Sequence, residues 1–339
     1  MEYIKFKPME KQSEQHIEKL TQQGFVTEAQ HTEIKTYDAL GIFSLNTELL
    51  FLLYLSVLLF TGGVGTLVYK NIDSIGHMAI LAVNFALMAV CFYFGFKKAK
   101  GFSKEEVLFD NPIYDYVVLT GSILSCIFIG YLQYQYSIFG SDFSLVSLFS
   151  AVICFGIAYY FDSRMVLSMA ITALAAFVGI TITPKTVFEN EIYSNPTLSY
   201  YGLALGVLII LWTVYSLKIN LKKHFYFVYF TFAQHLLGVS IIAGLLDENW
   251  LFFVPLLIGA VYYFYRISYQ FSATSFFVFS FIYGYIGVNI LLFKLLDFID
   301  TSSVIELLIM ISPIYVIGSI VLFIKLVRDF NKEKNARLQ

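Results

Sequence analysis

Ten unbroken apolar stretches succeed one another between residues 49 and 327, each close to the length of a helix that crosses a bilayer. A hydrocarbon core about 30 Å thick takes about 20 helical residues at about 1.5 Å each. The stretches run from Leu49 to Tyr69, Ile75 to Phe96, Tyr116 to Phe139, Phe143 to Phe161, Met165 to Thr183, Leu198 to Leu217, Phe225 to Leu246, Trp250 to Tyr265, Thr274 to Leu296 and Ser303 to Val327. The eighth is the shortest. Strands of a membrane barrel alternate apolar and polar residues over about ten positions, and these blocks do not. The chain is 58% hydrophobic and 14% charged, where soluble domains carry about 25% charge. A water-soluble fold of this composition lacks the polar residues to cover itself, so the sequence predicts an all-α integral membrane protein of about ten transmembrane helices.

Lysine and arginine test that count independently, because positive charge collects in cytoplasmic loops. With the N-terminus inside, alternate loops place all but Lys70, Lys185 and Lys294 of the 22 basic residues on the cytoplasmic side. One span more or fewer would reverse every later loop and mix the two sets. The expectation is an even number of spans with both termini cytoplasmic. Residues 49–327 then form the polytopic domain, with 1–48 before it and a cytoplasmic tail at 328–339.

Residues 1–48 are polar and hold no signal-peptide core, so they are expected to remain in the cytoplasm. Ile17 and Leu20 share one helix face, Gly24 ends that run, and Thr27 with Glu28 reads as a new helix start. A second short helix carries Ile34 and Tyr37. The pair forms a short helical hairpin, read as a cap on its own chain or as a dock for a protein partner.

Other classes are excluded or left without support. The net charge of −2 and the scattered basic residues exclude nucleic acid as a partner. Cys91, Cys126 and Cys154 all lie within apolar blocks, without metal or disulfide spacing, and no cofactor or metal is indicated. Nucleotide-loop and zinc-protease signatures are missing. Asp162 with Arg164, and Asp247 with Glu248, read as solvated charges in tight turns. Tyrosines recur at the block ends, as at Tyr159, Tyr200 and Tyr262, where amphipathic rings favour the headgroup zone.

Polar groups at membrane depth are costly unless paired, and each is a candidate for function. His235 falls mid-way along the seventh stretch beside Gln234, with Thr231 one turn earlier and Gly238 nearly one turn later. The stripe reads as a structural hydrogen bond between helices or as a binding site. Asn84 in the second stretch shares a face with His77 and Met88, and Asn289 lies within the ninth. Asp73 stands four residues before His77 and pairs with it or holds a metal weakly. Glu306 reads as an interfacial carboxylate. Gly62, Gly63 and Gly65, Gly202 and Gly206, and Ala175 with Gly179 read as close helix-packing positions, and Pro255 and Pro313 as possible kinks.

Ile17 to Leu20, Gly24-Phe25-Val26-Thr27 and Gln30, followed by Thr61-Gly62-Gly63-Val64-Gly65 and Tyr69-Lys70-Asn71-Ile72, resemble the bacterial membrane proteins grouped as domain of unknown function 2157. The resemblance covers the first third to half of the chain. It implies a multi-spanning protein of the bacterial inner membrane and brings no catalytic residues.

Three functions are compatible with this pattern. A transporter or permease-like protein would place its site between helices near His235, Gln234, Thr231, Asn84 and Asn289. A non-catalytic scaffold or sensor would use the hairpin to hold a partner and show an apolar patch at Phe25, Val26 or Ile34. A membrane-embedded enzyme acting on lipid or glycan would need convergent polar groups in a cleft at one interface.

Overall fold

The computed structural model describes residue 21 and residues 27–39, 46–70, 76–182, 196–296 and 302–338. Most of the described residues are helical, and none of them is in a strand. The helices are α1 (Glu28–Ala39), α2 (Asn46–Lys70), α3 (His77–Lys98), α4 (Ile113–Tyr136), α5 (Ser144–Phe161), α6 (Arg164–Ile182), α7 (Pro196–Lys218), α8 (Tyr226–Leu246), α9 (Trp250–Gln270), α10 (Thr274–Leu296) and α11 (Ser302–Leu338). In lipid a backbone must satisfy its own hydrogen bonds, and long apolar runs do so as helices. Helices α3 to α10 are eight segments long and apolar enough to cross a membrane. Two further helices, α2 and α11, fall on the first and tenth of the expected stretches, and the apolar part of α2 is the shorter segment Phe51–Leu67.

The chain divides into two units, Met1–Val64 and Gly65–Gln339. In the first, Thr27 caps α1 reciprocally. The Gln30 amide donates to Thr27 Oγ1 at 3.3 Å, while the Thr27 amide donates to Gln30 Oε1 at 3.0 Å. The other helix expected for the hairpin, Lys11 to Thr21, lies almost wholly outside the described residues, as do Phe25 and Val26.

In the second unit consecutive helices from α3 onward pack on one another, and α8 also meets α6 and α10. Helix α8 is therefore the hub. Of its apolar window 56% is buried, against 17–33% for the other seven spans. Close approach is possible because small residues face large ones. A Cβ at Gly206 would lie 2.7 Å from Leu237, and one at Gly202 would strike Ser240, so α7 lies tight against α8. Gly238 and Gly244, on α8 itself, receive the rings of Tyr283 and Phe253. The outward surfaces stay apolar, as at Leu208, Leu211, Ile258 and Phe293, all more than half exposed, as lipid-facing surfaces are.

Two boundaries differ from expectation. Helix α9, expected to end at Tyr265, runs to Gln270 and carries Arg266 on the helix. The guanidinium meets the Tyr262 hydroxyl one turn back, at 3.3 Å, so its long stem keeps the charged head near the helix end. The region expected as the cytoplasmic tail, 328–339, is helical to Leu338 as part of α11, which runs 37 residues through Pro313, because its Lys, Arg and Glu residues are good helix formers. Phe330 is buried against Tyr269 and Phe277, and Asn331 accepts a bond from Thr274 Oγ1 at 3.0 Å.

Candidate functional site

Two polar centres mark the second unit, one at mid-depth and one at the end of the bundle where α8 begins. At mid-depth, α8 presents Gln234 and His235 to α10. The Gln234 amide nitrogen donates to the Phe276 carbonyl at 2.9 Å and to Ser280 Oγ at 3.1 Å. Gln234 is 3% exposed and its Oε1 has no hydrogen-bond partner. His235 Nδ1 lies 2.8 Å from the Tyr283 hydroxyl, and Phe279 meets the imidazole edge-on. Bonding between helices is thus the observed state of both residues. Thr231 bonds the Phe227 carbonyl of its own helix at 2.7 Å.

The other expected site residues stand apart from this pair. Asn84 is on α3, whose packing partner is α4, and its Oδ1 is buried without a partner. Asn289 donates to the Tyr285 carbonyl of its own helix at 2.7 Å. No bond among the described residues joins Asn84 or Asn289 to His235. His77 lies 2.7 Å from the Tyr131 hydroxyl, whereas Asp73 and the Glu306 side chain lie outside the described residues. Among the described residues, and apart from each glycine's own helix, nothing lies within 4 Å of a Cβ placed on Gly62, Gly63, Gly65 or Gly179, whereas Gly202 and Gly206 meet α8 closely.

The second centre corrects the reading of Asp162 as a solvated charge. Asp162 caps α5 in the left-handed conformation, φ 62°, and is only 7% exposed. Its Oδ2 lies 2.9 Å from Lys222 Nζ and accepts the Val107 amide at 2.6 Å. Its Oδ1 meets His224 Nε2. Lys222, left-handed at φ 48° and 1% exposed, donates its own amide to the Lys104 carbonyl at 2.7 Å and sets its ammonium 5.6 Å from the Phe102 ring centre. Three connections, α3 to α4, α5 to α6 and α7 to α8, thereby close on one buried ion pair. Asp162 is shielded because the loop at 99–112 folds over it, Phe109 stacking on Phe161. Arg164 pairs outside this cover with Glu106 at 2.6 Å, both half-exposed. The signal in the sequence was the loop's Val107 and Phe109, half-buried here beside Asp162 and Phe161.

Nearby, Tyr159 lies 2.8 Å from the Tyr229 hydroxyl and accepts from Trp212 Nε1 at 3.0 Å, joining α5, α7 and α8. Cys126 and Cys154 lie 3.7 Å apart, sulfur to sulfur, across α4 and α5. Among the described residues no group of three or more His, Cys, Asp or Glu is arranged to hold a metal. The larger depressions, of about 260 Å³ between α10 and α11 and about 350 Å³ between α9 and α10, are open apolar grooves of the kind that face lipid.

No curated protein and no solved structure matches the chain. A family does match its first part. Residues 18–167, from the N-terminal region to the start of α6, match DUF2157, a predicted membrane protein family, and with the apolar helices of the structure this makes the chain a multi-spanning membrane protein.

Proposed function

We propose that this is a transporter or permease-like protein of the bacterial inner membrane, with its site on the seam between α8 and α10 at Gln234 and His235. One observation carries the reading: α8, the most enclosed helix of the bundle, holds at mid-depth the buried Gln234, whose Oε1 lacks a donor, beside His235, and the connection leading into α8 brings Lys222 to Asp162 in a buried ion pair on which three connections meet. A polar patch inside a membrane bundle is expensive and is a functional centre by default. A cluster of charge closing one end of the same bundle is an arrangement that suits a gate, since Asp162 gathers Lys222, His224 and the Val107 amide from two other connections. The charge asymmetry of the loops supports a cytoplasmic position for that end. Asn84 and Asn289 have no part in this site.

The test is metabolite profiling of a deletion strain complemented with wild type, His235→Ala or Gln234→Leu, at matched membrane levels. Variants that leave the deletion profile unrestored support the site. Full restoration by both variants would remove it.

A further inference from the structure

The mid-depth centre borders a small cavity. Gln234, Gly238, Ser280 and Tyr283 border a cavity of about 10 Å³ whose remaining wall is Ile241, Leu257, Ala260, Val261 and Phe264. The Gln234 amide cannot turn over to fill its own need. The Phe276 carbonyl only accepts, so the nitrogen must face it and Oε1 must face away. That oxygen belongs to a residue 3% exposed and lacks a donor, and a buried acceptor left without one is destabilising. Ser280 Oγ donates to the Phe276 carbonyl at 2.7 Å and accepts from Gln234, leaving it one free lone pair. Tyr283, whose hydroxyl lies 2.8 Å from His235 Nδ1, borders the same cavity.

We propose that this cavity binds one water molecule, which donates to Gln234 Oε1 and links the Gln234–Ser280 pair to the Tyr283–His235 pair. A water needs about 10–15 Å³ and two to four polar partners, and the site offers that room and up to three such groups. A cation is disfavoured because no charged residue lines the wall, and an unpaired buried ion is far costlier than a buried water. With the water in place the polar chain runs from the Phe276 carbonyl to His235. Along α10 it covers residues 276 to 283, about 10 Å of the bilayer's thickness. The site rests on geometry alone and stands whether or not the chain transports a solute.

Pulsed hydroxyl-radical footprinting of the full-length protein in nanodiscs tests it, with the internal water itself as the source of radicals. Phe264 borders the cavity and Phe253, on the same helix, does not, yet both are essentially inaccessible from outside, at 2% and 0% exposure. The expected result is oxidation of Phe264 several-fold above Phe253 in wild type, falling to the Phe253 level in Gln234→Met. Equal labelling of the two rings in wild type overturns the proposal, and this comparison needs no variant to fold. Unchanged Phe264 labelling in a folded Gln234→Met protein also overturns it.

Discussion

Replacing Lys222 by Met should destabilise the second unit far more than removing any other charge outside the buried cluster. Lys222 and Asp162 expose 1% and 2% of their side chains, so solvent cannot take over from a lost partner. Removing one member of such a pair costs about 3–5 kcal/mol. Asp162 would keep the Val107 amide and His224, which points to the lower end, about 3 kcal/mol. At about 2–4 °C per kcal/mol, that predicts a fall of about 6–12 °C in apparent Tm. The assay is thermal unfolding in detergent followed with a thiol-reactive dye, which reads exposure of Cys154, fully buried in the fold. Arg164→Ala is the control. Its pair with Glu106 is 53% and 41% exposed, and surface pairs are worth about 0–1 kcal/mol. The double variant Asp162→Asn, Lys222→Met should lose markedly less than the sum of its single changes. A Lys222→Met protein melting with wild type, or strict additivity in the double variant, would refute the claim that burial makes this pair matter.

Gly244→Ala should cost about 1–3 kcal/mol, because its new Cβ would strike the Phe253 ring, while Gly259→Ala, with nothing within 4 Å, should be neutral in the same melt. The 3.7 Å separation of Cys126 and Cys154 predicts that a membrane-permeant thiol oxidant crosslinks α4 to α5. Protease cleavage in the 137–143 connection, read on a non-reducing gel, then leaves the fragments joined in wild type and free in Cys126→Ser.

The helices could be read from the sequence because the signal is local. A continuous apolar run of about 20 residues has one low-energy solution in lipid, and every stretch drawn from hydropathy coincides with a helix to within a few residues, α9 and α11 aside. Gln234 and His235 were equally visible, since polar residues stand out against Phe, Leu and Val. Which helices would answer them was not. Asn84 and Asn289 look equivalent to His235 in hydropathy, but a shared site depends on how each helix is rotated about its axis, and that is set by packing such as Gly206 against Leu237. The ion pair was hidden for a different reason. Asp162 and Lys222 are far apart in sequence, each sits at a turn in the left-handed conformation, and hydropathy assigns any charged turn residue to water. Only the fold of residues 99–112 over them reverses that assignment.

The length of α11 has a mechanical consequence. At about 1.5 Å per residue its 37 residues make a helix about 55 Å long, held at two levels, where Phe330 wedges between Tyr269 and Phe277 and, about four turns away, where Tyr315 stacks on Tyr285. The short charged arm beyond Asn331 runs past the first of these holds, so a pull on the last two turns falls on the seat of Phe330 before it reaches the apolar length.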